Sequence, residues 1–348
     1  MSKLRIAVIF GGASPEYDVS LKSAYSVITH MDKDKYEIVM LGITTSGEWL
    51  RFCGEPEKIR DNTWNNLMDC TQAIISPCCI IQGCLALVGG TFREIKLDAA
   101  MPVLHGRNGE DGTVQGLLEL AGIPIIGCKT LSSALCMDKD RAHKLAASIG
   151  IKVPQSVVIE SNTSIESILA QTKHLGYPLF VKPVRAGSSF GITKVSHRRE
   201  LPTALKLAFE HDNNVIIEEN IIGVEIGCAL LGNDDPITGE LDEIELTGDF
   251  FDYKQKYTLE ATEIHVPARI SANKTQEIKD IAKKIYKALA CTGFARVDMF
   301  LTPSGEIYFN EVNTIPGFTL HSRYAKMFNT AGITYEQIID TVIDLAIK

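Results

Sequence analysis

Two carboxylates and an amide are spaced so that one β-hairpin would bring them together. Residues 294–301 and 306–312 have strand composition, and a short turn containing proline and glycine separates them. Folding this hairpin brings Asp298 to the level of Glu311, and Asn313 shares the face of Glu311 because side chains alternate along a strand. Such a set of hard oxygen ligands suits Mg²⁺ that bridges phosphate groups.

A cation accompanies these acids on the same predicted face. Arg296 lies two residues before Asp298, where a guanidinium could stabilise developing oxyanion charge. The alternative is a hairpin with an ordinary polar outer face. The polar turn at 313–317, placed directly after the acidic residues, favours the functional interpretation.

The motifs R-V-D at 296–298, N-E-V-N-T-x-P-G at 310–317 and T-x-H-S at 319–322 resemble the ATP-grasp ligases, and among them the D-alanine–D-alanine ligases. The resemblance implies an ATP-grasp fold of α/β and α+β type, with a doubly wound N-terminal domain that precedes it. It implies ATP and two Mg²⁺ or Mn²⁺ ions held by Asp298, Glu311 and Asn313. Arg296 and the Gly317 backbone N–H would stabilise the tetrahedral oxyanion.

Composition is that of a globular enzyme with two or three domains. The 348 residues are 45% hydrophobic and 22% charged, and the formal net charge of −8 argues against a nucleic-acid surface. No apolar run reaches the roughly 20 residues of a membrane helix, and no secretory signal follows Met1, so we expect a cytoplasmic protein without membrane insertion. The nine scattered cysteines predict reduced, mostly buried thiols.

The N-terminal segment predicts a doubly wound α/β domain. A strand at 4–10, a Gly-Gly turn, a helix and a strand at 36–44 follow one another, without a dinucleotide G-x-G-x-x-G fingerprint. Glu16 lies where such sheets bind ligands, or it only favours a helix N-terminus. In the ligases that this opening resembles, the glutamate holds the ammonium of the first D-alanine.

Residues 46–96 predict an irregular insertion with one or two helices and a short hairpin, and no function is assigned to them. A strand at 97–104 then leads into the glycine-rich turn H-G-R-N-G-E-D-G, which begins at His105. This turn resembles the ligase motif in which the histidine borders the carboxylate of the first substrate.

Residues 122–130 only superficially match a phosphate-binding G-x-x-x-x-G-K-T loop, because a cysteine precedes the lysine and the interior is apolar. We interpret them as a strand and linker. The helix predicted at 132–148 carries Lys139, which in the family reaches the ATP phosphates. Without the resemblance, Lys139 would be interpreted as a solvated lysine on an exposed helix face.

A lysine inside an apolar strand marks the central part of the chain. Lys182 lies in the strand at 178–184, where an unpaired charge is costly, and the loop Gly-Ser-Ser-Phe-Gly follows at 187–191. This pattern predicts a hairpin lid whose N–H groups wrap phosphates, or an ordinary glycine-rich hairpin. The resemblance assigns Lys182, Ser188 and Ser189 to ATP.

The resemblance places further nucleotide contacts in residues 215–225. Glu218 would accept the adenine amine, the backbone near Glu219 and Ile221 would read the ring edge, and Glu225 would hold the ribose hydroxyls. For the Glu219 side chain, we favour a solvated position, because relatives commonly have lysine there.

A long aromatic and charged loop at 248–262 predicts a functional lid. It resembles the ω-loop of the ligases. There Lys256 would meet the γ-phosphate and Phe251 would border the substrates. Tyr257 would bond Ser188, and Ser188 would bond Glu16.

The residue after His321-Ser322 bears on the second substrate. D-Alanine–D-alanine ligases carry an aliphatic residue there, whereas this chain carries Arg323, whose donors suit the hydroxyl of D-serine. Asp242 or Glu243 could orient the guanidinium, unless Arg323 turns outward to solvent. Ser322 and Arg323 would therefore contact the acceptor, as in the D-alanine–D-serine ligases of vancomycin resistance and their VanG-type branch.

Three segments follow from the resemblance: 1–128 for substrate binding, 129–217 with the glycine-rich loop, and 218–348 with the metal site. The family also implies a homodimer. Three alternatives stay open at this point: a housekeeping D-alanine–D-alanine ligase, an ATP-grasp enzyme with another acyl donor, and an inactive nucleotide-binding regulator.

Overall fold

The computed structural model describes residues 3–187, 190–246 and 262–348. Three β-sheets with helices packed on them make up this part of the chain. Among the helices described, none has both the length and the apolar character needed to cross a membrane.

The N-terminal sheet has seven strands, in the spatial order 6-5-4-3-2-1-7 along the chain numbering. They are β1 (Leu4–Gly11), β2 (Tyr36–Ile43), β3 (Trp49–Phe52), β4 (Cys70–Ile75), β5 (Gly83–Val88), β6 (Thr91–Lys96) and β7 (Ala99–Pro102). Its helices are α1 (Tyr17–His30), α2 (Glu57–Arg60) and α3 (Thr113–Leu120). β1 pairs in parallel with β2 and β7, as the doubly wound interpretation requires.

The prediction of an irregular insertion at 46–96 was wrong in its main point. Four strands, β3 to β6, extend the parallel core as an antiparallel meander. Only the hairpin before Lys96 and one short helix were anticipated. Trp64 is fully buried there, and its indole N–H donates to the Tyr17 hydroxyl at 2.9 Å, which attaches the meander to α1.

The segment after α3 also differs from its prediction. Residues 122–128 form no strand of their own and make a single bridge, from Ile125 to Ala100. Two helices follow in place of one, α4 (Thr130–Met137) and α5 (Lys139–Ser148). Asp138 separates them because its backbone is extended and its side chain caps α5 by accepting from the Arg141 N–H at 3.0 Å.

The second sheet has four antiparallel strands in the order 10-9-11-8. They are β8 (Ser156–Glu160), β9 (Leu179–Pro183), β10 (Thr193–Val195) and β11 (Asn214–Glu219). The helices α6 (Ile165–Gln171) and α7 (Leu201–Phe209) cover it. Alternation along β9 and β11 buries aliphatic residues on one face and leaves the other face to Lys182 and Glu218.

The third sheet contains the acidic hairpin. Its path is β15 (Thr262–His265), β14 (Asp242–Leu246), β12 (Val224–Leu231), β16 (Phe294–Leu301) and β17 (Ile307–Asn313), and the short β13 (Ile237–Thr238) pairs with β12. The helices α8 (Ala272–Ala288), α9 (Arg323–Thr330) and α10 (Tyr335–Ile347) complete the described chain.

The segment after β17 is fixed from two sides. The Phe318 N–H donates to the Ser23 hydroxyl on α1 at 3.4 Å, and the Tyr335 hydroxyl on α10 donates to the Phe318 carbonyl at 2.8 Å. Phe318 and Tyr335 are both buried in one hydrophobic cluster with the core of the N-terminal sheet. Gly317 and the residues around it are thus held between the N-terminal domain and the C-terminal helices.

Cysteine burial follows the prediction in part. Five of the nine thiols are buried, whereas Cys53, Cys78 and Cys79 are exposed and Cys70 is intermediate. All nine are free.

Candidate active site

The hairpin of β16 and β17 brings the predicted metal ligands together. Asp298 lies directly opposite Glu311, and Arg296 lies opposite Asn313, with a register shift immediately after Asp298. The pairing holds all four side chains on one face of the sheet, because directly paired residues share a face. The arrangement that the alternation of residues indicated is therefore present in the structure.

Asp298 is the most enclosed member of this group, with 1% of its surface exposed. Arg296 donates to both of its oxygens, from Nε at 2.8 Å and from Nη2 at 2.7 Å. Asn313 Nδ2 donates to Asp298 Oδ2 at 2.8 Å, which leaves Asn313 Oδ1 as the amide atom suited to a cation. The donor set of two carboxylates and an amide oxygen fits a hard divalent ion.

Arg323, the first residue of α9, turns inward. Its Nε and Nη2 donate to the two oxygens of Asp242 at 2.6 and 2.8 Å, and Asp242 is completely buried. Nη1 lies 3.4 Å from Glu225 Oε1, and Nη2 lies 3.5 Å from Asp298 Oδ1. Burial by itself would lower the pKa of Arg323, but the neighbouring charges, Asp242 first, hold that pKa well above its usual value.

These contacts decide between the alternatives for Arg323. Only 12% of its side chain is exposed, so the interpretation of a solvent-facing arginine was wrong. Of the two acids expected to orient it, Asp242 does so. Glu243 points to the other face of β14, where it pairs with Arg269 at 2.6 Å.

The face of the second sheet opposite its core holds a buried ion pair. Lys182 Nζ on β9 lies 2.6 Å from Glu218 Oε2 on β11, and Glu218 is 2% exposed. Burial would raise the pKa of Glu218, but its neighbours, Lys182 first, together outweigh burial, and the pKa lies below its ordinary value. The lysine inside an apolar strand thus has an anion of the protein itself as its partner.

One atom of this pair is left without a hydrogen bond. Within the described residues, Glu218 Oε1 and His143 Nδ1 are buried without a hydrogen-bond partner, and they lie 3.7 Å apart. His143 Nε2 lies 2.7 Å from the Asn310 carbonyl, to which it donates. The sequence analysis missed His143, because only the fold brings α5 beside β11. An unpartnered carboxylate oxygen in a buried pocket is suited to a donor such as an amine.

Lys139 lies close to both the glycine-rich loop and the acidic hairpin. It is the first residue of α5 and is 7% exposed, so the interpretation as a solvated lysine was wrong. Its Nζ donates to the Ala186 carbonyl at 2.7 Å and lies 3.8 Å from Glu311 Oε2. The amine is therefore located between the start of the glycine-rich loop and the acidic hairpin, where it could meet phosphate oxygens.

The predicted contacts to the adenine edge are only partly available. The Glu219 N–H donates to the Gln155 carbonyl at 2.9 Å, and Glu219 Oε1 accepts the Gln155 N–H at 2.8 Å. This side chain is engaged with the chain itself. Ile221 lies in the half-buried link between β11 and β12, and Glu225 is the second residue of β12.

Glu16 immediately precedes α1 and is 5% exposed. Two glycine-rich segments approach its carboxylate. A methyl group at Gly106 would lie 2.4 Å from Glu16 Oε2, and one at Gly187 would lie 2.9 Å from the same atom. Close approach to the acid leaves no room for a side chain at either position, and Gly106 also has a φ of +73° that favours glycine. The N-terminal domain and the glycine-rich loop therefore meet at Glu16.

His105 follows β7 in this region and is 5% exposed. Burial lowers its pKa to about 4, although a hydrogen bond with the Ile315 backbone opposes the change. The Ser23 hydroxyl lies 3.5 Å from His105 Nε2. The imidazole is consequently neutral near pH 7.

Glu110 is a further acid that the sequence analysis left out. Its Oε2 accepts the Gly106 N–H at 2.8 Å, so it closes the turn that begins at His105. Burial, and then the charge of Glu16, raise the pKa of Glu110 to about 8. The sequence signal that could have identified Glu110 was its position inside the H-G-R-N-G-E-D-G motif.

The remaining candidates divide into two groups. Ser322 caps α9: its hydroxyl donates to the Thr319 carbonyl at 2.8 Å and accepts from the Ala325 N–H at 3.4 Å. Gly317 lies in the adjoining segment. A methyl group placed at Gly317 would lie 3.8 Å from Ser322 Cβ, an ordinary contact distance. Five candidates lie outside the described residues: Ser188, Ser189, Phe251, Lys256 and Tyr257.

Two models of known protein families match this chain. Residues 5–128 match the family model described as D-ala D-ala ligase N-terminus, and residues 145–344 match the one described as D-ala D-ala ligase C-terminus.

Among solved structures, the VanG D-Ala:D-Ser ligase from Enterococcus faecalis has a TM-score of 0.92 and 54% identity, over 99% of this chain and 100% of that one. A D-alanine--D-alanine ligase of Caldicellulosiruptor bescii is 44% identical over 100% of this chain and 96% of its own length. The vancomycin B-type resistance protein VanB of Enterococcus faecalis is 43% identical over the full length of both chains.

Proposed function

Because the chain belongs to the D-alanine–D-alanine ligase family, and is an ATP-dependent ligase with the ATP-grasp fold, we propose that it joins D-alanine to D-serine. Members of this family form a peptide bond between small amino acids. The choice of the second amino acid is the specific part of the proposal, since the relatives carry names that differ in this respect: D-alanine--D-alanine ligase at 44% identity and D-Ala:D-Ser ligase at 54%.

The ion pair of Arg323 with Asp242 is the observation that carries this choice. Arginine has five N–H donors and no acceptor. Two of the five bind Asp242, and a third, on Nη1, reaches Glu225 Oε1 at 3.4 Å. Covering the methyl group of D-alanine with the remaining donors would leave them unpaired, at a cost of about 1–3 kcal/mol. The hydroxyl of D-serine can accept from them, directly or through water. The 54% identity to the VanG D-Ala:D-Ser ligase supports the same choice.

ATP is assigned to the cleft that holds Lys182, Lys139 and Glu218. The free oxygen of Glu218 is an acceptor suited to the amino group of adenine, and the two lysines suit phosphate oxygens. Glu225, at the start of β12, is the acid proposed for the ribose hydroxyls. The backbone near Glu219 and Ile221 would border the ring edge, whereas the Glu219 side chain is engaged elsewhere.

Asp298, Glu311 and Asn313 would hold divalent ions, and their oxygen donors fit Mg²⁺ or Mn²⁺. Two such ions, when bound, would neutralise charge between the phosphates of ATP. Arg296 and Asn313 fix the orientation of Asp298, so the carboxylate is held in place before any ion arrives.

The residues of the chain would then act on the two amino acids in turn. Glu16 would hold the ammonium of D-alanine and His105 would border its carboxylate, which ATP phosphorylates. The amine of the second amino acid would attack this acyl phosphate, and phosphate would leave. Arg296 and the Gly317 N–H would stabilise the tetrahedral oxyanion. Ser188 and Tyr257 complete the proposed set, with Lys256 at the γ-phosphate and Phe251 near the substrates.

Acceptor competition tests the proposal. The purified enzyme, with ATP, Mg²⁺ and D-alanine, is given D-serine, and the two dipeptide products are quantified at neutral pH. We expect D-Ala-D-Ser to predominate. We expect Arg323→Leu to lose that preference while it keeps D-Ala-D-Ala synthesis. Predominant D-Ala-D-Ala synthesis by the unaltered enzyme would instead identify a housekeeping ligase of peptidoglycan synthesis.

Several further assignments are parts of the same proposal. A role in vancomycin resistance follows if the product is D-Ala-D-Ser, and similarity to VanB accords with that role. The homodimer is carried over from the family and is tested by light scattering of the purified protein. The division into segments at residues 128 and 217 is proposed on the same basis.

A further inference from the structure

Gly227 lies between the acidic residues Asp242 and Asp298 on neighbouring strands of the third sheet. β12 runs between β14 and β16, and its register places Gly227 opposite Asp242 on one side and opposite Asp298 on the other. Directly paired residues in a sheet project to the same face. Any side chain at position 227 would therefore project between these two carboxylates, on the face that also carries Glu311.

There is no room for such a side chain. A methyl group at position 227 would lie 2.3 Å from Asp242 Oδ1, 2.7 Å from Arg323 Nη2 and 3.2 Å from Asp298 Oδ1. The first two distances are shorter than real contacts of a methyl carbon, so at least one partner would have to move. The guanidinium of Arg323 thus occupies space that exists only because residue 227 is glycine.

Asp242 and Arg323 could not easily move away from such a methyl group. Asp242 is completely buried, and its Oδ1 accepts from the Gly227 N–H at 2.9 Å as well as from Arg323 Nη2 at 2.8 Å. Moving Asp242 would break these bonds and leave a charged pair poorly matched inside the protein, which is costly.

Space, and not backbone freedom, is the reason for glycine here. Gly227 is a regular residue of β12 and is absent from the glycines of the described chain that have positive φ. Alanine would adopt the same backbone without strain. A substitution at this position consequently reports on the crowding around Asp242, Arg323 and, less closely, Asp298, without a change of backbone conformation.

We propose that Gly227 is a positioning residue for recognition of the second amino acid. Its missing side chain leaves the slot in which Asp242 and Asp298 hold Arg323 against the acceptor. This inference rests on the proposed D-serine specificity for its functional part, whereas the crowding that underlies it does not depend on the acceptor.

The test combines Gly227→Ala with a background in which the crowded side chains are removed, Asp242→Ala with Arg323→Leu. Gly116→Ala is the matched control, because a methyl group at that helical position meets Thr130 at an ordinary 3.7 Å. For each variant, kcat/KM is measured with D-serine and with D-alanine as acceptor, together with the KM for ATP and the midpoint of thermal unfolding.

We expect Gly227→Ala to lower the ratio of kcat/KM for D-serine to that for D-alanine by about tenfold or more, the equivalent of one lost hydrogen bond to a charged group. The KM for ATP should stay unchanged. In the background variant, the same substitution should leave the ratio unchanged, because the methyl group no longer meets Asp242 or Arg323. Gly116→Ala should leave the ratio and the KM for ATP unchanged, and it should not lower the unfolding midpoint, because alanine is favoured over glycine inside a helix.

An unchanged ratio in Gly227→Ala, or an equal further loss in the background variant, would overturn the inference. If Gly227→Ala does not fold, the triple variant must fold, and its failure to fold would also contradict the proposal.

Thermal unfolding separates this inference from the proposed function. If the unaltered enzyme prefers D-alanine, D-serine specificity fails. The crowding is then judged by whether Gly227→Ala lowers the unfolding midpoint by more than about 2 °C in the native chain and not in the background.

Discussion

Lys182 and Glu218 neutralise each other in the cleft proposed for ATP, with 2.6 Å between Nζ and Oε2 and only 11% and 2% of their side chains exposed. Both were expected to contact ATP, one at the phosphates and the other at adenine. Their pairing gives each charge a partner inside the protein, and the second oxygen of Glu218 stays available. The cleft is therefore built before nucleotide binds, which lowers the ordering needed for binding.

Removing one member of this pair should be more harmful than removing both. Lys182→Met leaves Glu218 buried without its main counter-charge, so we expect a loss of about 3–5 kcal/mol in the free energy of unfolding. The double variant Lys182→Met, Glu218→Leu should recover much of that loss, although it should not bind ATP. Urea unfolding of both variants provides the measurement.

The control for this experiment is an exposed ion pair. Lys35 and Asp340 lie 2.6 Å apart, but 54% and 33% of their side chains are exposed. Lys35→Met should therefore cost much less stability than Lys182→Met. A double variant at 182 and 218 that is as unstable as Lys182→Met would show that the pair does not carry the effect.

The sequence was sufficient where the relevant residues are local. Asp298, Glu311 and Asn313 belong to one hairpin, so alternation along two neighbouring strands places them on one face without knowledge of the rest of the fold. Local patterns also identified β1, α1 and β2, and the predicted ends of the two strands differ from the observed ones by one residue each. Glycine-rich turns marked the loops beside Glu16 and His105 for the same local reason.

Features that depend on distant register were not predictable in this way. Lys182 was expected to need an anion, but its partner Glu218 depends on how β9 pairs with β11. The helix break at Asp138 buries Lys139, and residue propensities alone favour one continuous helix there. The crowding at Gly227 requires the register of three strands at once.

The carboxylate of Glu311 should be essential for phosphoryl transfer. Glu311→Gln keeps the size of the side chain and removes a charge from the proposed metal site, so we expect ADP release to fall by about 10²-fold or more at saturating Mg²⁺. Mn²⁺ binding, followed by electron paramagnetic resonance without substrates, should weaken in parallel, and circular dichroism should stay unchanged.

Glu306→Gln is the control on the same hairpin, because Glu306 is 44% exposed and pairs with Lys152 at the surface. It should retain full activity and Mn²⁺ binding. Near-normal turnover of Glu311→Gln would remove the hairpin from the proposed metal site.

Burial of His105 makes the stability of the folded protein depend on pH. The unfolded chain binds a proton at this residue below about pH 6.5, whereas the folded protein binds it only near pH 4, since the folded pKa is about 4. Between these values the unfolded state holds more protons, so stability rises with pH and is lost as pH falls from 6.5 to 4. Protonation of His105 lowers the free energy of unfolding by about 3 kcal/mol at most between pH 6.5 and pH 4.

Unfolding of the native chain and of His105→Asn, measured from pH 7 to pH 4, tests this expectation. The stability of the native chain relative to the variant should decrease steadily below pH 6.5. Parallel stability curves across this range would mean that the folded protein binds the proton at His105 as readily as the unfolded chain does.

Neighbouring acids on β14 provide the last prediction, because alternation sends them to opposite faces. Asp242 is completely buried beneath Arg323, whereas Glu243 pairs with Arg269, whose side chain is 50% exposed. Asp242→Asn removes the main counter-charge of a buried guanidinium, so we expect a loss of about 3–5 kcal/mol in unfolding free energy and of any preference for D-serine. Glu243→Gln makes the same change at the adjacent residue, which is 5% exposed but has a half-exposed partner on the other face of the sheet. It should cost less stability than Asp242→Asn and should leave the acceptor preference intact. Product ratios and urea unfolding of the two variants give the comparison. An equal loss of D-serine preference in the two variants would mean that the pair of Arg323 with Asp242 does not determine acceptor choice.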